Sequence, residues 1–122
     1  VLPENIIRKL TTVEMDEYRR PFLEPGEDRR PTLTWPRQLP IAGEPADVIQ
    51  IVNDYGEWLA QSPLPKLFVN GDPGALIAGS VRDLVRSWPN VSEVTVPGIH
   101  FLQEDSADLI GEAIASWFDQ LD

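Results

Sequence analysis

The chain has 122 residues, 42% of them hydrophobic, and a formal net charge of −10, enough for one domain with a modest core. That charge argues against nucleic acid and anionic membranes as partners, since both need clustered lysine and arginine, and apolar runs such as Leu67-Phe68-Val69 are too short to span a bilayer. With no cysteine and a single histidine, neither a disulfide framework nor a thiol nucleophile nor an ordinary zinc site can be built, and no metal or other cofactor is expected.

The composition fits a soluble globular protein, with a cytoplasmic location expected and a periplasmic one left open. The chain opens neither on methionine nor on a charged-then-apolar leader, so it is expected to begin partway through a larger protein. Thr11-Thr12-Val13-Glu14 has the form of a capping box and opens a short helix through Met15 and Tyr18 that Pro21 stops. Residues 22–45 show no periodic segment and are crowded with proline. Their basic residues Arg29, Arg30 and Arg37 alternate with Glu24, Glu27 and Asp28, as on a solvated loop of mixed charge. Leu33, Trp35, Leu39 and Ile41 are nonetheless too apolar for a linker, and the stretch reads as a packed loop of the kind that walls or covers a site.

From about residue 45 the rhythm turns regular. Val48, Ile51, Val52, Tyr55 and Leu59 recur at helical spacing, and residues 66–70 form a short apolar strand. Val81, Leu84, Val85 and Trp88 mark a second amphipathic helix, and Val91, Val94 and Val96 a second strand. A closing helix follows on Leu109, Ile110, Ala113, Ile114, Trp117, Phe118 and Leu121, with Asp105 or Ser106 placed to cap it. Trp58, Trp88 and Trp117 fall at helical positions and are expected to pack. The acidic trio Glu104, Asp105 and Asp108 reads as capping and helix-dipole complementation. Strands alternating with helices predict an α/β fold with a parallel sheet flanked by helices and right-handed crossovers. Two strands leave sheet edges and helix faces uncovered, so further strands must come from elsewhere.

In open parallel sheets the working site lies beyond the carboxyl ends of the strands. Two loops meet that rule, residues 70–76 (Asn-Gly-Asp-Pro-Gly-Ala-Leu) and 97–101 (Pro-Gly-Ile-His-Phe). The second carries His100, the chain's one histidine, and a histidine on a loop at the carboxyl end of a strand is suited to moving protons. A lone histidine is more often a surface or structural residue, and its strand-end setting is what singles it out.

A last strand, then Gly98-x-His100, then a final amphipathic helix resembles the end of the α/β-hydrolases. Four further stretches, residues 30–37 (Arg-Pro-Thr-Leu-Thr-Trp-Pro-Arg), 39–45 (Leu-Pro-Ile-Ala-Gly-Glu-Pro), 72–76 (Asp-Pro-Gly-Ala-Leu) and 100–105 (His-Phe-Leu-Gln-Glu-Asp), look like the carboxyl-terminal part of a haloalkane dehalogenase of the lindane-type subfamily. The likeness covers essentially the whole chain. It implies that residues 1–44 belong to a helical cap with its proline-rich loop, and residues 45–122 to the carboxyl-terminal part of the α/β-hydrolase core.

The resemblance also implies a reaction: an aspartate displaces halide from a haloalkane, and a histidine-activated water cleaves the resulting ester. His100 matches the base. Val1, Trp35, Pro36, Leu39, Ala75, Leu76 and Phe101 would line an apolar substrate pocket, and Asn5 would stand at the tunnel mouth. Without that register, Val1, Ala75 and Leu76 read as ordinary packing residues. Asn5 departs from the apolar residue common there, which bears on tunnel width. Many α/β-hydrolases place the acid in a Gly-x-x-Asp pattern after the penultimate strand, whereas here Gly71 is followed by Gly74. Asp72 is an alternative acid, though Asp-Pro-Gly is ordinarily a turn. No nucleophile elbow is found, and the resemblance implies that the nucleophile, the acid and the halide-holding residues belong to an amino-terminal half supplied by a separate chain or a preceding segment. The other expected partners are the halogenated substrate and halide. Two other functions stay open, a coelenterazine-type luciferase and a non-catalytic hydrolase-like binding module. Residues 42–45 (Ala-Gly-Glu-Pro) and 73–76 (Pro-Gly-Ala-Leu) favour the dehalogenase pattern over the luciferase.

Overall fold

The structure, a computed structural model, describes residues 2–121. They form two compact units. One joins the amino-terminal residues up to Lys9 with the stretch from Ala60 onward, and the other is Leu10–Leu59.

Within the second unit, α1 spans Thr12–Arg19 and opens on the expected capping box. Thr11 Oγ1 accepts from the Glu14 amide at 3.3 Å, and the Glu14 carboxylate accepts from the Thr11 amide at 2.7 Å, so two backbone donors with no partner in the helix are satisfied reciprocally. Pro21 lacks an amide hydrogen and cannot extend the ladder, and the helix passes into a 3-10 turn, Arg20–Phe22. Short turns, Glu27–Arg29 and Pro36–Gln38, flank the five-residue α2, Arg30–Thr34, which carries Pro31 in its first turn. The sequence predicts a packed apolar loop, yet Leu33, Trp35, Leu39 and Ile41 stand exposed. What orders the segment is hydrogen bonding to its own backbone. The Arg29 guanidinium donates to Phe22 O at 2.8 Å and Leu23 O at 2.9 Å, and Thr32 and Thr34 hydroxyls cap carbonyls one turn back. The longer α3, Ala46–Gln61, half-buries Val48, Ile49, Val52 and Leu59, but Ile51, Tyr55 and Trp58 are exposed, so the expected packing of Trp58 is not seen.

The other unit contains a parallel pair, β1 (Lys66–Pro73) and β2 (Val91–Gly98), joined through α4 (Gly79–Arg86) and followed by α5 (Leu102–Phe118). The strands start in register at Lys66 and Val91. Lys66 Nζ fixes that end by donating to the carbonyls of Ser62, Leu64 and Pro89. β1 runs beyond the expected residue 70 because Asp72 and Pro73 still pair with Pro97 and Gly98, and the turn begins only at Gly74. Both helices pack on the sheet, α5 on both strands and α4 on β2. Val96 is 1% exposed and is the fully buried side chain of the pair. Among the described residues Ile6, Leu10 and Val96 are the buried hydrophobics, a small core for so long a chain.

α5 is interrupted. Ser106 leaves the helical region at φ −140°, ψ 36°, and its hydroxyl donates to Pro97 O at 2.6 Å. The expected cap position is therefore where the main helix begins, but the side chain is bonded to the sheet.

Candidate functional site

Because β1 and β2 run parallel, their carboxyl ends fall side by side, and the loops leaving them form one cleft of about 220 Å³. It is lined by Val69, Gly71, Gly74, Ala75, Leu76, Ile77, Ile99, His100 and Leu102, an apolar wall with a single imidazole. Three close approaches shape it. The Gly74 amide donates to Gly98 O at 2.9 Å, tying the two loops together. A Cβ on Gly71 or Gly98 would come within 2.6 Å or 2.5 Å of Leu102 Cδ2, so glycine at both strand ends lets Leu102 sit over them and start α5 beside His100. Arg82, reaching back from α4, donates to Gly71 O at 3.2 Å and Ile77 O at 3.3 Å and holds the loop that carries Ala75 and Leu76.

His100 is exposed, and its backbone is held by the amino-terminal segment. The amides of His100 and Phe101 donate to Asn5 O at 3.1 Å and 3.3 Å. The imidazole meets the Phe101 ring edge to face, with centroids 4.5 Å apart and planes at 71°. Among the described residues no carboxylate pairs with the imidazole, Asp72 included, and no group of acidic or histidine side chains is arranged to hold a metal ion.

Such a cleft can seat a small apolar molecule against an exposed imidazole. No family-level sequence model matches the chain. A haloalkane dehalogenase of Mycolicibacterium smegmatis is 64% identical over 96% of the chain, and one of Sphingobium indicum is 60% identical over 99%. The chain spans 38% and 41% of the length of these two relatives. The solved structure of the haloalkane dehalogenase DbeA of Bradyrhizobium elkani superposes with a TM-score of 0.88 at 42% identity, covering 95% of this chain and 40% of that one. The chain is similar to haloalkane dehalogenases over nearly its whole length. It matches the carboxyl-terminal part of those proteins, and its parallel strands with flanking helices are part of their α/β-hydrolase fold. A coelenterazine h 2-monooxygenase of Renilla reniformis is also similar, at 42% identity over 99% of the chain.

Measured against the dehalogenase pattern, the structure brings His100, Ala75 and Leu76 into one cleft, with the Phe101 ring edge to face with the histidine and Asn5 O accepting from both their amides. Trp35, Pro36 and Leu39 lie in the unit Leu10–Leu59, where Trp35 ends α2 and is 71% exposed. Val1 lies outside the described residues. The sequence reading missed Val69, Ile77, Ile99 and Leu102 in the cleft wall, and Arg82 behind it. The first four carry no signal beyond apolarity, whereas an arginine one turn into a helix just after a glycine-rich strand end is a readable hint. No helix among the described residues is long and apolar enough to cross a membrane.

Proposed function

We propose that, within its complete protein, this chain supplies the histidine base and part of the apolar pocket of a hydrolytic haloalkane dehalogenase. The observation that carries the reading is His100, in the Gly98-Ile99-His100 loop where both parallel strands end, opening onto an apolar cleft in a chain 64% identical to a dehalogenase.

In the first step an aspartate carboxylate outside this chain attacks the halogen-bearing carbon. The new C–O bond forms as the carbon–halogen bond breaks, and halide departs. In the second, His100 takes a proton from water, hydroxide adds to the ester carbonyl carbon, and the collapsing intermediate expels the alcohol as the imidazolium returns the proton. The imidazolium needs a carboxylate to stabilise it, and the family resemblance puts that acid in the rest of the protein, with Asp72 as the weaker alternative. By the family resemblance, Ala75, Leu76, Phe101, Val1, Trp35, Pro36 and Leu39 would line the pocket of the complete protein, and Asn5 would stand at its mouth. An apolar wall sheds water from the attacking carboxylate and accepts a substrate that offers nothing to hydrogen-bond. Residues 1–44 form part of the cap and 45–122 part of the core.

The test is halide release from 1,2-dibromoethane by the complete protein. Stoichiometric bromide and alcohol support the reading. Light from coelenterazine with no bromide would move the protein to the monooxygenase class, and neither activity would leave a binding module.

A further inference from the structure

The segment that carries Asn5 is itself clamped to the start of α5. The amides of Ile7 and Arg8 both donate to the Asp105 carboxylate, at 2.9 Å and 3.0 Å from Ile7 and 2.9 Å from Arg8. The Arg8 guanidinium closes the clamp from the other side, donating to Glu104 O and, at 2.6 Å, to Glu104 Oε2. Between the two attachments Ile6 is 5% exposed. The connection is short: Asp105 fixes residues 7 and 8, residue 5 follows through a buried neighbour, and Asn5 O receives the amides of His100 and Phe101.

We infer that Asp105 is a positioning residue for the base, acting through the segment 5–8 to hold the His100 loop at its working position over the cleft. This rests on the role proposed for His100. A carboxylate suits the site, because Oδ1 receives both amides while Oδ2 receives Ile7 as well, and two adjacent donors aimed at one group are matched by negative charge. Asparagine has the same shape but turns an amide donor toward one of them. Arg8 offsets the charge that Asp105 adds beside Glu104 and Asp108. The clamp touches no reacting atom, so its loss shifts where His100 sits and leaves the first displacement, which does not use the histidine, intact.

The experiment is Asp105→Asn in the complete protein, with 1,2-dibromoethane as probe, reading the bromide burst and the later turnover separately. The expected result is a burst rate within about twofold of the parent and ester hydrolysis at least about tenfold slower, with the alkylated protein accumulating in the intact mass spectrum, since small misplacements of a catalytic group cost up to about a hundredfold. Hydrolysis within about twofold of the parent, or an equal fall in both steps, overturns the inference. If D105N does not fold, Asp105→Glu carries the test, because it keeps the charge and displaces the carboxylate from the two backbone amides by one methylene. Slower hydrolysis with an unchanged burst supports the role, and unchanged hydrolysis overturns it. A parent that releases no bromide defeats the dehalogenase reading and this inference with it, whereas an active parent with an unaffected variant defeats only the inference.

Discussion

At Gly74 the backbone takes a φ of +70°, and a Cβ there would stand 2.7 Å from Gly71 O and 3.1 Å from Arg82 Nη2. This is the position where the Gly-x-x-Asp pattern of other α/β-hydrolases would put the acid, and the sequence showed only that it is empty. The structure adds why. The loop doubles back tightly enough to bond Gly98, and no L side chain fits that bend. Gly74→Ala is therefore expected to lose about 1–3 kcal/mol of stability in the complete protein, read from urea unfolding, with Gly74→Asp at least as costly and restoring no acid function. A second residue-scale prediction concerns Glu93. The Arg86 guanidinium, bonded to both its oxygens at 2.8 Å and 2.7 Å, holds this carboxyl below its ordinary range, with the Arg86 charge adding to the hydrogen bonds. Since the folded value is the lower one, whatever the pair adds to stability is present above the unfolded carboxylate value and fades as pH falls through the folded one. Carbon-detected NMR titration should find Glu93 low in the parent and moved back toward normal in Arg86→Gln. An unmoved value would assign the shift to something else.

Among the elements, the helices and strands were legible wherever a repeating apolar pattern met a recognisable end. Thr11 and Glu14 announced α1, and the valines of 91–96 announced β2. Thr11→Ala removes one half of the reciprocal cap and should cost about 1 kcal/mol, seen as faster amide exchange confined to the first turn of α1. What periodicity could not reveal depends on partners distant in sequence. β1 extends to Pro73 because β2 offers Pro97 and Gly98 to pair with, and α5 breaks at Ser106 because its hydroxyl finds Pro97 O. Asp105, read as a helix cap, instead binds amides at the other end of the chain. That contact spans 98 residues in sequence, so no local pattern encodes it. The loop 22–45 shows the opposite case. Its apolar residues suggested packing, but its order is local and backbone-based, and Trp35 and Ile41 are each 71% exposed.

For the whole molecule, the parallel sheet and a cleft at its strand ends were readable, because both follow from element order alone. The family came from residue identities rather than physics, and the pocket from neither, since Leu102 enters only through two distant glycines. A two-stranded sheet with Trp58, Leu76, Leu84, Ile114 and Phe118 exposed has more apolar surface than it covers. The chain taken alone should enhance the fluorescence of an apolar dye such as anilinonaphthalene sulfonate, and should release no halide, having no nucleophile elbow. Dye enhancement no greater than that of a well-packed domain would contradict the first expectation. The central claim, that His100 activates the water that cleaves an alkyl ester, is tested most directly by the intact mass of the complete protein with His100→Phe after exposure to 1,2-dibromoethane. A persistent adduct of one alkyl group per molecule is expected, absent from the parent because the parent hydrolyses it. Continued turnover by the variant, or no adduct from a variant whose parent releases bromide, would contradict it.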